Sequence, residues 1–183
     1  MPDKKEKIKA LYSYLLEKGF DNSIEEIAAG IGVAPATIYN RYQSRKGVEI
    51  AITQYWMEKI AALTEEKCQY ANNPIEEILY FIHELNVRRN EAAHIYQKSI
   101  EISEINSIRD IIYPIIENGI KRDYFQEEAN SDEYIKYFTL NLIHTIFTQK
   151  KIESRFLYYL LEPILTSVGE KALSEIDLAA FFK

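Results

Sequence analysis

Apolar residues recur every three or four positions along most of the chain, the spacing that lines one face of an α-helix, and the strict alternation of a half-buried strand is absent. Ile8, Leu11, Tyr12, Leu15 and Leu16 make the first stripe, with Gly19 where a left-handed C-terminal cap is wanted. Ser23 and Glu26 have capping-box spacing at the head of a second stripe, Ile24, Ile27, Ala28 and Ile31. Gly32 ends that helix early, and Pro35 stands where the first turn of the next one tolerates a proline. Ser44 can cap a longer helix carrying Val48, Ile52, Tyr55, Trp56, Ile60 and Leu63, which fades near Asn72. Further helices are predicted from Pro74 to about Val87, His94 to Ile102, Ile108 to Ile120, and Ser131 to about Lys150. Another runs from Ser154 to about Val168, kinked at Pro163, and a short one from Leu173 to Phe181. The pattern predicts an all-α fold in which an N-terminal three-helix head, residues 1–47, is joined by a long helix to a helical body, residues 48–183.

A chain of 183 residues can bury a sizeable core without covalent staples. Its single cysteine, Cys68, excludes an intrachain disulfide, and no secretory leader is recognisable, so a soluble protein of the reducing cytoplasm is expected. The charge-free run from Phe138 to Gln149 is too short to span a bilayer, and no membrane partner is expected. The net charge of −6 disfavours a nucleic-acid partner until its distribution is considered. Residues 1–48 hold eight Lys and Arg against six Asp and Glu, a balance of +2, and the remainder carries −8. A cationic head on an acidic body suits a small DNA-binding module fused to something else.

The informative stretch runs from Ser23 to Lys46, SIEEIAAGIGVAPATIYNRYQSRK. Two short helices about a glycine-containing turn make a helix-turn-helix, at about Ser23 to Tyr42, whose second helix must pack with one face and enter the major groove with the other. Ile24, Ile27, Ile31, Val33, Ile38 and Tyr42 supply the packing. The intervening Pro35, Ala36, Thr37, Tyr39, Asn40 and Arg41 are small, hydroxylated, amide or cationic, the types that approach DNA and donate hydrogen bonds to it. Tyr42, four residues after Ile38, falls on the packed side.

Residues 8–60 resemble the head of the tetracycline-repressor (TetR) family of transcriptional regulators, through Gly19-Phe20, Ile27-Ala28, Gly32-Val33, Thr37-Ile38-Tyr39 and Ser44-Arg45. The resemblance implies that Thr37, Tyr39 and Asn40 meet phosphates or groove edges. It also implies that Arg45, at the start of the fourth helix, grips a phosphate. With Ser23, Pro35, Ala36, Arg41 and Lys46 these complete the candidate DNA-contact set. Gly47 departs from a good helix start.

The same resemblance implies a body for ligand binding and dimerisation, a homodimer on double-stranded operator DNA, and release of a repressor by a small-molecule effector when the helix from Ser44 to about Lys67 swings. The last two long helices would pair with those of a second copy, and Phe138, Leu142, Ile146, Leu157, Leu160, Leu161 and Ile164 are the candidate dimer contacts. Fourteen Tyr and eight Phe suit an aromatic-walled pocket, for which Tyr80, His83, Glu84, Tyr96, Tyr113, Asn141 and His144 are candidates. An interior acid such as Glu84 would favour a cationic or hydrogen-bonding ligand, an apolar pocket acyl chains or planar aromatics. The choice stays open.

Catalysis finds little support. His83, His94 and His144 lack metal-ligand spacing, Cys68 has no neighbouring histidine, and Gly30-Ile31-Gly32 begins a dinucleotide-like pattern that meets Pro35 at its third glycine without a preceding strand. No catalytic residue, metal or cofactor is expected. The alternative to a DNA-binding regulator is a helical protein–protein interaction module.

Overall fold

The computed structural model describes residues 4–91, 102–148 and 152–182, all in helices and short connections with no strand among them. The helix expected at His94–Ile102 lies outside the described residues except for its last position. Residues up to Lys59 group into one compact unit, and Ile60–Arg89 with the chain from Ile105 into a second, the division falling inside a helix.

In the first unit α1 (Lys4–Lys18) ends at Gly19, whose φ of 86° is the left-handed cap anticipated from its position. The α2 helix (Ile24–Gly30) opens on the complete capping box: Glu26 N–H donates to the Ser23 hydroxyl at 3.2 Å, and Ser23 N–H to the Glu26 carboxylate at 2.7 Å. Gly32, at φ 70°, makes the turn into α3 (Pro35–Tyr42), where Pro35 occupies the first turn and so leaves no N–H unsatisfied. Gln43 then reverses the chain into α4 (Arg45–Cys68). Leu11, Leu15, Ile24, Ile27, Ala28, Ile38, Val48 and Ile52 are buried, so the apolar stripes of this unit face the interior.

In the second unit α5 (Pro74–Val87) is capped by Asn73 and buries residues on nearly all sides, including Ile75, Leu79, Phe81, Ile82 and Leu85, as a central helix must. Next come α6 (Ile102–Lys121), a 3-10 turn at Glu127–Asn130, α7 (Asp132–Thr148), α8 (Ser154–Leu161), α9 (Ser167–Glu175) and α10 (Leu178–Phe181).

The expected course of the last helices needs correction. The helix from Ser154 does not bend through Pro163: α8 stops at Leu161, a 3-10 turn carries Pro163, and Leu165 is extended. There the Gln126 N–H donates to the Ile164 carbonyl at 2.8 Å and Thr166 N–H to the Tyr124 carbonyl at 3.1 Å, so another segment replaces the helical bonds that a proline removes. The terminal helix likewise divides at Ile176–Asp177 into α9 and α10.

The candidate dimer residues lie inside the single chain. Phe138, Leu142, Ile146, Leu157, Leu160, Leu161 and Ile164 are at most 4% exposed in the single chain and form its own core. A helical stripe reveals that one face is buried, but not against what. The outer faces of the same helices carry Leu140, Tyr158 and Tyr159, exposed at 42, 40 and 65%.

Candidate functional site

The head presents α3 as its outward helix. Ile38 is 3% exposed and Tyr42 is half-buried, its hydroxyl held above the ordinary phenol range by burial. On the other side Pro35, Ala36, Tyr39 and Asn40 are exposed, at the one- and four-residue spacing that gathers them on one face. Tyr39 is 45% exposed although large and aromatic, and its hydroxyl lies 3.5 Å from the Glu25 carboxylate. Thr37 and Arg41 of α3 and Lys46 of α4 are half-buried, with the Arg41 guanidinium 5.4 Å from the Tyr42 ring centre.

Two candidates are differently engaged. The Ser23 hydroxyl is taken by the α2 cap. The Arg45 guanidinium, expected at a phosphate, donates through Nη1 to the Asn22 carbonyl and through Nε to Glu49 at 3.3 Å. It ties the link before α2 to the start of α4, a contact across 23 residues that no local pattern announces. Gly47, a weak helix former, is explained in the same corner. A Cβ there would collide with the backbone carbonyl of Tyr42, so only glycine lets α4 start this close to the end of α3. Gly47→Ala is therefore expected to lower the urea midpoint, by about 1–3 kcal/mol of overpacking. Helix propensity alone predicts a gain of about 1 kcal/mol, so an unchanged or raised midpoint contradicts the close approach.

In the second unit Leu63, Glu66, Lys67 and Tyr70 of α4 and the following turn, with Tyr80, His83, Glu84, Val87 and Arg88 of α5 and its C-cap, line a cleft of about 550 Å³. Three of the seven residues expected in a ligand pocket, Tyr80, His83 and Glu84, are thus brought together. The others are not. Tyr113 accepts a hydrogen bond from Asn130 at 3.2 Å, Asn141 donates to the Tyr137 carbonyl at 2.8 Å on α7, and His144 is exposed on the same helix. Tyr96 lies outside the described residues.

Glu84 is 2% exposed, and its carboxylate is paired on both sides, with Lys67 at 2.8 Å and with Arg88 one helical turn on. A cationic ligand would therefore find its acid already neutralised. Burial, and then the Lys67 charge, hold the His83 imidazole below its ordinary range; its Nδ1 is buried without a hydrogen bond. The rings of Tyr80 and His83 pack against Phe181, at 4.8 and 6.3 Å between centres. Lys67 and Arg88 escaped sequence analysis. The Glu84–Arg88 pair was legible at its four-residue spacing, whereas Lys67 meets Glu84 only through folding. Burial pushes the Cys68 thiol up to about 11, away from the reactive thiolate form. Among the described residues no helix is long and apolar enough to cross a membrane, and no cluster of three His, Cys, Asp or Glu is placed to hold a metal.

No protein-family model matches the chain, and no curated protein matches it by sequence. Solved structures do. The chain is similar to RolR without ligand at TM-score 0.70 and 16% identity, over 92% of this chain and 95% of that one. RolR in complex with resorcinol matches at TM-score 0.67 and 16% identity over 93 and 92%. The fatty acid degradation regulator FadR from Bacillus halodurans matches at 0.57 and 16% over 95 and 100%. At such identity the likeness establishes the fold, which this chain shares with these proteins over nearly its whole length.

Proposed function

We propose that this chain is a dimeric, DNA-binding transcriptional regulator, a repressor of the tetracycline-repressor type, that releases its operator when a small molecule binds the body. The observation that carries this reading is the exposed Pro35, Ala36, Tyr39 and Asn40 face on a helix whose opposite side, Ile38, is packed into a helix-turn-helix. A large aromatic left 45% exposed beside an amide and small residues, with one 3.5 Å polar contact to Glu25, suits a surface that meets sugar, phosphate and base edges. The head resemblance and the fold shared with a ligand-bound RolR and with FadR support it. In this role the chain exchanges partners rather than catalysing a reaction, and it works in the compartment that holds the DNA.

The α4 helix belongs to both compact units, so an effector that prefers one setting of α4 would change how α3 is presented. Regulation then equals the ligand's differential affinity for the two settings, about 1–3 kcal/mol in typical systems. A mobility-shift assay with DNA flanking the chain's own gene tests the core of the proposal. Expected is a specific shift whose log affinity falls linearly with log salt. Equal binding to that DNA and to a scrambled duplex would reject it, in favour of a helical protein–protein interaction module.

The dimer face of this proposal is the outer side of α7 and α8, around Leu140, Tyr158 and Tyr159, where exposed aromatics resemble interface anchors. His144, exposed and four residues after Leu140 on α7, falls on the same side of that helix. Leu140→Glu with Tyr159→Glu is expected to halve the mass seen by light scattering at micromolar concentration while leaving the helical circular-dichroism signal intact. A dimer that survives both charges places the interface elsewhere.

A further inference from the structure

The cleft between α4 and α5 contains an arrangement that the proposed function does not require. Buried Glu84 holds two cations, Lys67 and Arg88, so this inner cluster carries one surplus positive charge. Lys67 offers three N–H donors and Arg88 five, and Glu84 accepts from one on each. The neighbouring Nδ1 of His83 is buried and unpartnered. The remaining acid of the lining, Glu66, is exposed, where water and salt screen it. Around this polar end stand Leu63, Tyr70, Tyr80 and Val87. Glu84 thus pins two cationic side chains against an apolar wall without fully compensating them, the distribution that a ligand with an anionic head and an apolar body complements.

We propose that this cleft binds a small amphipathic monocarboxylate, its carboxylate held by Lys67 and Arg88 beside Glu84 and its apolar body against Leu63, Tyr80 and Val87. The cleft volume of about 550 Å³ admits a bicyclic aromatic or medium-chain acid. The inference leans on the regulator reading only for its consequence at DNA, because binding itself is measured without DNA.

Isothermal titration of the full-length chain with naphthoate, octanoate and the uncharged naphthamide is the test. At least one carboxylate should bind saturably, and naphthamide about tenfold or more weaker than naphthoate. Glu84→Gln removes the competing anion yet retains a partner for Lys67, and should tighten carboxylate binding severalfold. Lys67→Met should weaken it about tenfold, with its melting midpoint recorded alongside. Should Lys67→Met fail to fold, Glu84→Gln and the acid–amide comparison decide. Equal affinity for acid and amide, weaker binding by Glu84→Gln, or no saturable binding of either carboxylate up to millimolar concentration overturns the proposal. Carboxylate binding by a chain that shifts no DNA would instead sink the regulator reading and leave the site standing.

Discussion

Replacing Tyr39 and Asn40 together by alanine is expected to lower operator affinity about 100-fold or more while leaving the thermal midpoint of the free protein within a degree or two. Both side chains are exposed, and the hydroxyl of Tyr39 makes only a 3.5 Å contact with Glu25, so the fold loses little with them. In the DNA complex each good polar contact is worth about 1–3 kcal/mol, and a dimer on a two-fold operator loses it twice. Because neither residue is charged, the slope of log affinity against log salt should stay that of the unmodified protein. Removing the half-buried cation Arg41 should instead reduce that slope by about one per recognition helix. The double variant thus separates recognition from charge attraction. Undiminished specific binding by it would mean that α3 is not the reading helix.

The second large effect belongs to Phe138→Ala, expected to cost about 3–5 kcal/mol of folding free energy, because a fully buried ring leaves a cavity that its neighbours fill only in part. The charge-based monomer, with Leu140→Glu and Tyr159→Glu, provides the background for the measurement. If Phe138 were an interface anchor, its loss would matter to the dimer and vanish in the monomer. With the ring 1% exposed inside one chain, the drop in urea midpoint should persist at full size in the monomer and show no dependence on protein concentration. A monomer indifferent to Phe138→Ala would return that residue to the subunit contact.

Those two residues illustrate how much of the site was legible beforehand. The outward position of Tyr39 and Asn40 was legible from spacing alone, since a helix of eight residues with Ile38 packed inward fixes which positions point away. The Ser23–Glu26 cap and the Gly32 turn are local in the same sense: their partners lie within three or four residues and their geometry follows from backbone chemistry. Phe138 was equally legible as apolar and periodic, but not the surface it packs against, which in the single chain is its own core. Burial against the chain's own core and burial against a second chain leave the same mark on a sequence. The exposed Tyr159 lies on α8, which reads as apolar on most sides, and gave no signal that it stood outside. Of the cleft, Tyr80, His83 and Glu84 were anticipated from the resemblance, which implies an effector among the middle helices. Lys67 was not, because a lysine near the end of a long amphipathic helix ordinarily extends into water.

By itself the order of residues determined the all-helical class, the helix starts and turns of the head, and the outward face of α3, each through interactions that span a turn or two of chain. Tertiary structure alone decided that Arg45 fastens Asn22 rather than standing free, that Gly47 admits a close carbonyl, that α7 and α8 bury their stripes at home, and that Glu84 meets Lys67. These are contacts between sites that folding brings together or faces whose partner folding selects, and a periodic pattern records how a segment divides its sides but not which surface comes to lie against them.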